Sequence, residues 1–233
     1  MDRLKLLTRD FNRLADKKRA EVSAWFFKTG PGQYGEGDVF LGITVPKMRE
    51  VAKKYELPLS EIQKLLLSKI HEHRSVALVV LVNKFKCADE IGKKQIFDFY
   101  IKNAKNINNW DLVDSSAEYI VGEYLLERPK AIIYKLAKSK NLWERRIAII
   151  STFAFIKKGK FEDTFKIAEI LLSDWHDLIH KAVGWMLREV GKRDQNALEK
   201  FLAKHCRVMP RTMLRYSIER FESGKRKFFL AKM

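Results

Sequence analysis

Apolar residues recur every three or four positions along most of this 233-residue chain. That spacing is the period of an amphipathic α-helix and predicts a succession of helices. The stretch VALVVLV at 76–82 is continuously apolar and, taken alone, could form a buried strand. Its neighbours have the helical pattern and no turn signals, so we read it as a buried helix. We therefore expect an all-α fold.

Glycine and proline, which interrupt helices, gather in one segment near the start of the chain. Four of the 11 glycines lie in the sequence GPGQYGEG at 30–37, and this composition predicts a loop. The loop lacks the Lys-Ser/Thr pair of a phosphate-binding P-loop and does not follow a strand. Nucleotide binding there is not expected.

A weak repeat is visible in four segments that begin at His71, Asn108, Asn141 and Asp177. Each segment starts with polar residues and continues as an apolar helix. Their spacing of 33 to 37 residues is typical of helical-hairpin repeats of the HEAT type. We expect residues 1–233 to form a single HEAT-like repeat domain, a curved α-solenoid with a concave face.

The net charge of the chain indicates which class of partner it binds. The chain has 46 Lys and Arg residues against 29 Asp and Glu, a formal net charge of +17. This excess favours a nucleic acid, an anionic membrane surface or an acidic protein as partner, and it predicts that the concave face is basic. The basic tail at about 223–233 is either a frayed end, the simpler interpretation, or an arm that binds a nucleic-acid backbone.

Several features favour a cytoplasmic location. No apolar run approaches the roughly 20 residues of a membrane span. Residues 1–20 lack the apolar region of a signal peptide. Cys87 and Cys206 match no metal-ligand spacing and fit a reducing compartment.

His176 and His180 are four residues apart but lack the intervening glutamate of a zincin, so a metal site is not expected. No cofactor is expected either.

The segment WDLVD, Trp110–Asp114, places a carboxylate one helical turn after an indole. A helix continuing to Tyr124 would have Asp114 at the edge of its core stripe, too far from the helix start for a capping role. Partial burial disfavours a charged carboxylate unless a cation or hydrogen bonds compensate. A salt bridge to a neighbouring helix and a contact with a cationic substrate both fit Asp114.

Two other acids on the same predicted helix have simpler interpretations. Asp111 lies in the first turn, after Asn108 and Asn109, where an acid favours the helix dipole. Both Asp111 and Glu118 are expected to turn toward water.

The helix near Trp143 contains adjacent arginines with different expected environments. Arg145 points away from the apolar stripe and is expected on a solvated face. Arg146 lies at the margin of that stripe, which favours a semi-buried ion pair or a phosphate contact.

The helix near Asp177 has an aromatic residue on its polar side. Its core stripe is Ile179, Val183, Met186, Leu187 and Val190, whereas Trp185 shares the other face with Lys181, Arg188 and Lys192. An indole among three cations fits nucleic-acid binding, in which cations meet phosphates and the indole packs on a sugar or base. The alternative is an indole covered by a neighbouring helix, with the cations extending around it.

Five motifs in order resemble those of the AlkD-type DNA alkylation-repair glycosylases, a HEAT-like family. They are KTGPGQYGEGD at 28–38, FLGI at 40–43 followed by Pro46, WDLVD at 110–114, WERR at 143–146 and GWMLRE at 184–189. Each motif alone is weak, but the five in order are specific and cover most of the chain.

The resemblance implies a catalytic cleft and a set of DNA contacts. By motif, the cleft residues are Asp114, Trp110 and Trp185, and Arg146 and Arg188 contact DNA. Lys181 and Lys192 join the DNA-binding set from their place on the face of Trp185. The family's aromatic residue from the first helices corresponds to Trp25, Phe26 or Phe27.

The resemblance also implies a reaction: hydrolysis of the N-glycosidic bond of cationic N3- or N7-alkylated purines in duplex DNA, leaving an abasic site. The implied protein is a monomeric, monofunctional glycosylase that has no lyase activity, cofactor or metal. Asp114 would stabilise oxocarbenium character on the sugar and orient water. An alternative function of another class is a non-catalytic HEAT-like scaffold that binds nucleic acid or an acidic protein. Such a scaffold requires the positive net charge of the chain but not Asp114.

Overall fold

A computed structural model describes residues 3–232. Within this range the regular structure is helical, apart from an isolated bridge between Val39 and Ile70. The predicted all-α fold is confirmed. Over the same residues, no helix combines the length and the apolar character needed to cross a membrane.

The chain divides into two compact units, one ending at Ser116 and the other beginning at Ala117. The single repeat domain and the curved solenoid stay predictions. Four helices begin at or within two residues of the predicted repeat starts: α5 (His71–Cys87), α7 (Trp110–Asp114), α10 (Leu142–Lys157) and α12 (Asp177–Gly191).

The first unit is built around α5, which is buried on nearly every side. This explains its continuous apolar run, because a helix that is apolar all round belongs in a core. It packs against α3, α4, α6 and α7. The helices of this unit are α1 (Arg3–Arg13), α2 (Lys17–Phe26), α3 (Val45–Ala52), α4 (Leu59–Leu66), α5 (His71–Cys87), α6 (Glu90–Lys102), a 3-10 turn (Ala104–Asn106) and α7 (Trp110–Asp114).

In the second unit, α10 is the most buried helix, and it packs against α9, α11, α12 and a π-helical segment. The elements are the π-helix Glu118–Gly122, α8 (Glu123–Leu125), α9 (Ala131–Ala137), α10 (Leu142–Lys157), α11 (Glu162–Ile170), α12 (Asp177–Gly191), α13 (Gln195–His205), α14 (Arg211–Ser217) and α15 (Ser223–Ala231).

Helices α12 and α14 approach closely at Gly184. A Cβ atom added there would lie 2.5 Å from the Cβ of Tyr216 and 2.6 Å from the carbonyl oxygen of Met213. Only a residue without a side chain fits this contact. The glycine next to Trp185 therefore fixes how the helix that carries Trp185 packs.

The predicted continuous helix from Trp110 to Tyr124 is wrong. Helix α7 ends at Asp114, and the hydroxyls of Ser115 and Ser116 donate hydrogen bonds to the Leu112 carbonyl at 3.3 and 2.6 Å. Serine hydroxyls bond local carbonyls in this way and favour an interruption of the helix.

Two surface predictions also differ from the structure. Glu118 was expected to face water but is 3% exposed and pairs with Lys157. The tail was expected to be frayed, but Ser223–Ala231 forms α15, with the buried ring of Phe229 5.8 Å from that of Phe221. The last residue of the predicted tail, Met233, lies outside the described residues.

Candidate functional site

The glycine-rich loop ends by bringing a carboxylate into the interior of the first unit. Gly37 has a positive φ of 84°, and the side chain of Asp38 after it is only 5% exposed. Arg74 Nη2 donates to Asp38 Oδ1 at 2.7 Å. Burial alone would raise the pKa of Asp38, but the hydrogen bonds and charges of His71 and Arg74 outweigh burial and hold it below its usual value.

His71, the first residue of α5, lies between two carboxylates. Its Nε2 atom is 2.8 Å from Asp111 Oδ2 and its Nδ1 atom is 3.2 Å from Asp38 Oδ2. Burial alone would lower the pKa of His71, but the two acids raise it to about 9. At neutral pH the ring is therefore an imidazolium whose two N–H groups both donate to carboxylates.

The start of α7 is tied to the same network. Asn109 is fully buried, and its Oδ1 atom accepts a hydrogen bond from the backbone N–H of Trp110 at 2.8 Å. Its Nδ2 atom lies 3.5 Å from Asp38 Oδ2. Asp111 was expected to complement the helix dipole and to turn toward water, but its half-buried side chain pairs with His71 across 40 residues of sequence.

The indole of Trp110 packs on aromatic rings from the end of α2. Its centroid is 5.3 Å from that of Phe27, in a stacked arrangement, and 5.9 Å from that of Phe26, edge on. Trp25 is instead 72% exposed and lies under Lys28 Nζ at 5.0 Å. Of the three aromatic candidates, Phe26 and Phe27 therefore contact Trp110.

Asp114 is the half-buried last residue of α7. Burial raises the pKa of Tyr100, and the negative charge of Asp114 raises it further, so the carboxylate lies near the Tyr100 hydroxyl. The helix dipole disfavours an anion at a C-terminal end. Neither capping nor the dipole therefore explains an acid at position 114, as the sequence indicated.

Helix α12 has the two faces that the sequence predicts. The five stripe residues are fully buried, and Trp185 and the three cations lie on the outer face. Each cation pairs with an acid: Lys181 with Asp177 at 2.7 Å, Lys192 with Glu189 at 2.6 Å, and Arg188 with Glu219.

Glu189 organises the outer face of α12, and the sequence analysis gave it no role. It is 6% exposed, and Trp185 Nε1 donates to its Oε1 atom at 3.3 Å. Burial alone would raise the pKa of Glu189, but the hydrogen bond and charge of Lys192 lower it below its usual value. The charged acid thus orients the indole as well as neutralising a lysine.

Both arginines of the WERR motif are buried. The prediction that Arg145 is solvated is wrong: it is 8% exposed, and its Nε atom lies 2.5 Å from Asp174 Oδ2. Arg146 is 5% exposed, and its Nη1 atom donates to the Leu178 carbonyl at 2.6 Å. Arg146 therefore supports the start of α12, and its contact with DNA stays a prediction.

The polar quartet HEHR at 71–74, which opens an otherwise apolar helix, makes contacts that local spacing did not predict. In addition to the contacts of His71 and Arg74, Glu72 accepts hydrogen bonds from the amides of residues 41, 42 and 43 at 2.9, 2.8 and 3.3 Å. Only 2% of Glu72 is exposed, so the carboxylate is a structural group of the interior. The usable signal was the placement of four charged or polar residues at the start of a buried helix.

A family model described as "DNA alkylation repair enzyme" matches residues 7–221. The chain belongs to this family. Membership confirms the family resemblance, because the model spans all five motifs.

Solved structures of the same fold support the assignment. A predicted DNA alkylation repair enzyme from Enterococcus faecalis has a TM-score of 0.70 and 17% identity, over 90% of this chain and 97% of that one. AlkD2 from Streptococcus mutans has a TM-score of 0.55 and 17% identity, over 94% and 97%. At these identities the likeness concerns the fold. No curated protein sequence matches the chain.

Proposed function

We propose that this DNA alkylation repair protein is a glycosylase that hydrolyses the N-glycosidic bond of cationic N3- or N7-alkylated purines in duplex DNA. The observation that carries the proposal is Asp114: a half-buried carboxylate one turn from Trp110, at a helix end that disfavours it, in a protein of net charge +17. The reaction leaves an abasic site and the free alkylated base.

The chemistry requires little from the protein besides charge and orientation. Alkylation already gives the purine a positive charge, so the base leaves with the bonding electrons and needs no strong general acid. The sugar gains oxocarbenium character, which the Asp114 carboxylate stabilises while it orients the water that adds to C1′. Because water rather than a protein amine is the nucleophile, no covalent intermediate forms and no lyase step follows. The proposed reaction uses neither a metal nor a cofactor.

Trp110 supplies an aromatic surface beside this carboxylate. Phe27 stacks on the indole, which fixes the plane of the ring before substrate binds. The electron-rich face of an indole attracts a nearby cation and packs well on deoxyribose. We assign Trp110 and Asp114 to the catalytic set on this basis, and Trp185 from its place in the GWMLRE motif.

DNA binding is assigned to the outer face of α12, with Lys181, Arg188 and Lys192 contacting phosphates. The side chains of Lys181 and Lys192 are 41% and 40% exposed, and that of Arg188 is 18% exposed. Their acidic partners hold them in place, and phosphates compete for the same cations. Arg146 is the least exposed member of the DNA-binding set.

The two cysteines bear on the proposed location. Both Cys87 and Cys206 are free thiols, which fits a reducing compartment. We propose a cytoplasmic monomer.

The test uses a duplex oligonucleotide that contains a single 7-methylguanine. Released base is measured directly, and strand cleavage with and without added alkali separates abasic sites from lyase products. The wild-type protein should release the base, and Asp114→Asn should reduce the rate by roughly 100-fold or more, as the loss of an electrostatic stabiliser does in other active sites. Wild-type activity in Asp114→Asn would refute the catalytic assignment.

A matched control is Asp98→Asn in α6. Asp98 is 56% exposed in its side chain and pairs with Lys94 at 2.6 Å, so the substitution removes one negative charge at an exposed surface pair. Base release should stay at the wild-type rate.

The high net charge also favours a second function, a non-catalytic scaffold that binds nucleic acid or an acidic protein. Salt-dependent DNA binding together with base release at the uncatalysed rate would support the scaffold over the glycosylase.

A further inference from the structure

We propose that His71, held by Asp38 at the end of the glycine-rich loop, is a positioning residue that fixes Trp110 and helix α7. The effect on base release rests on the proposed glycosylase function, whereas the effect on Trp110 itself does not. The glycine-rich loop, in which nucleotide binding is not expected, would then have a structural role: it supplies Asp38, which contacts His71.

The network around His71 contacts the residues on both sides of Trp110. Asn109, before the indole, lies 3.5 Å from Asp38, and Asp111, after it, lies 2.8 Å from His71. Helix α7 has only five residues and is too short to be stable by itself. Its position therefore depends on these tertiary contacts.

The ring of Trp110 is connected to His71 through packed aromatic side chains. Phe27 contacts both Trp110 and His71, with ring centroids 5.3 and 4.9 Å apart. Phe40 stacks on His71 at 4.7 Å and on Phe27 at 5.2 Å. The imidazole thus supports the indole through packed rings as well as through the backbone of α7.

Asp111 depends on a charged partner. Its Oδ1 atom is buried and has no hydrogen-bond partner among residues 3–232, so the contact of Oδ2 with His71 supplies its compensation. An acid that loses its only close cation while partly buried destabilises its surroundings. We expect α7 to move when the imidazolium loses its proton.

The charged groups around His71 determine how its stabilising effect depends on pH. Asp38 faces it from the loop, Asp111 from α7 and Arg74 from its own helix, while the adjacent Glu72 binds backbone amides. The pKa of His71 is raised from its ordinary value near 6.5 to about 9. The stabilisation is therefore fully present below about pH 6.5 and is lost as the pH rises through about 9.

Fluorine NMR of protein labelled with 5-fluorotryptophan tests the proposal directly. Trp110→Phe assigns the Trp110 resonance among the five tryptophans. In the wild type this resonance should shift with a midpoint near pH 9. In Asp38→Asn, where His71 has lost one acidic partner, the midpoint should move to a lower pH, and in His71→Gln the titration should disappear.

The control is a histidine that lies outside this network. His205→Gln removes another histidine beside an acid, at 3.2 Å from Glu169, and should leave the Trp110 titration unchanged. A Trp110 resonance that is constant between pH 7 and 10 in the folded wild type would overturn the proposal, as would the same titration in His71→Gln. If His71→Gln does not fold, the titrations of the wild type and of Asp38→Asn still test whether His71 positions Trp110.

Base release at neutral pH gives an independent functional measure. His71→Gln should lower kcat by roughly tenfold or more with KM for DNA unchanged, because small misplacements of reacting groups cost up to about 100-fold. A raised KM with unchanged kcat would contradict positioning. If the wild type releases no base, the glycosylase proposal fails while the fluorine titration still tests the role of His71.

Discussion

The Nε2 atom of His71 lies 2.8 Å from Oδ2 of Asp111, the residue that immediately follows Trp110. This contact joins the first residue of the buried helix α5 to the first turn of the short helix α7. It makes the placement of a candidate active-site indole depend on an ion pair, and it leads to predictions about stability as well as activity.

Asp111→Asn should destabilise the first unit. The substitution removes the negative charge that pairs with His71, leaving the imidazolium with Asp38 alone. Since the Asp111 side chain is 25% exposed, we expect a loss of about 1 to 3 kcal/mol, the range for a hydrogen bond to a charged group. Chemical denaturation, monitored by circular dichroism, measures the change in the free energy of unfolding. An unchanged denaturation midpoint would contradict the prediction.

Stability should fall between pH 7 and 10 because of His71. A pKa raised to about 9 means that the folded state holds a proton that the unfolded state has released, so raising the pH favours unfolding. The contribution is at most about 3 kcal/mol, since one pKa unit corresponds to about 1.4 kcal/mol. The decline in melting temperature over this range should be smaller in His71→Gln than in the wild type.

Glu189→Gln should strengthen non-specific DNA binding. The change removes the acid that neutralises Lys192, while the amide oxygen still accepts from Trp185. Because Lys192 no longer exchanges an acidic partner for a phosphate, the binding constant for DNA should rise at each salt concentration. Glu199→Gln, which alters the net charge equally at the Lys225 pair, is the control and should have a smaller effect.

Gly184→Ala should destabilise the second unit by about 1 to 3 kcal/mol, the usual cost of overpacking. The added Cβ atom meets the backbone of Met213 and the Cβ of Tyr216, which cannot move as a flexible side chain does. Gly224→Ala, also in a helix, adds a methyl group with nothing within 4 Å and should be neutral or stabilising. Equal melting temperatures for the two variants would refute the packing argument.

Periodicity was sufficient to predict the buried helices and their core faces. The stripe of α12 and the helical state of 76–82 follow from local spacing, because burial of one helix face repeats along the sequence. Motif order was sufficient to find the family, and with it the candidate residues Trp110 and Asp114.

Contacts between distant segments could not be obtained from local spacing. Arg145 looks exposed on its own helix and becomes buried because Asp174, 29 residues later, pairs with it. Asp38, His71 and Asp111 are separated by more than 30 residues each, and nothing in their spacing predicts that they meet. The end of α7 at Asp114 depends on two serine hydroxyls, which a helical wheel does not represent.

The first turn of α5 has a consequence for how the protein opens. His71 binds α7, Glu72 binds the amides of residues 41–43, and Arg74 binds Asp38. Unwinding this single turn would release all three partners at once, although they lie far apart in sequence. In hydrogen exchange, the amides of residues 41–43 and of α7 should therefore share one opening free energy and behave as a single cooperative unit.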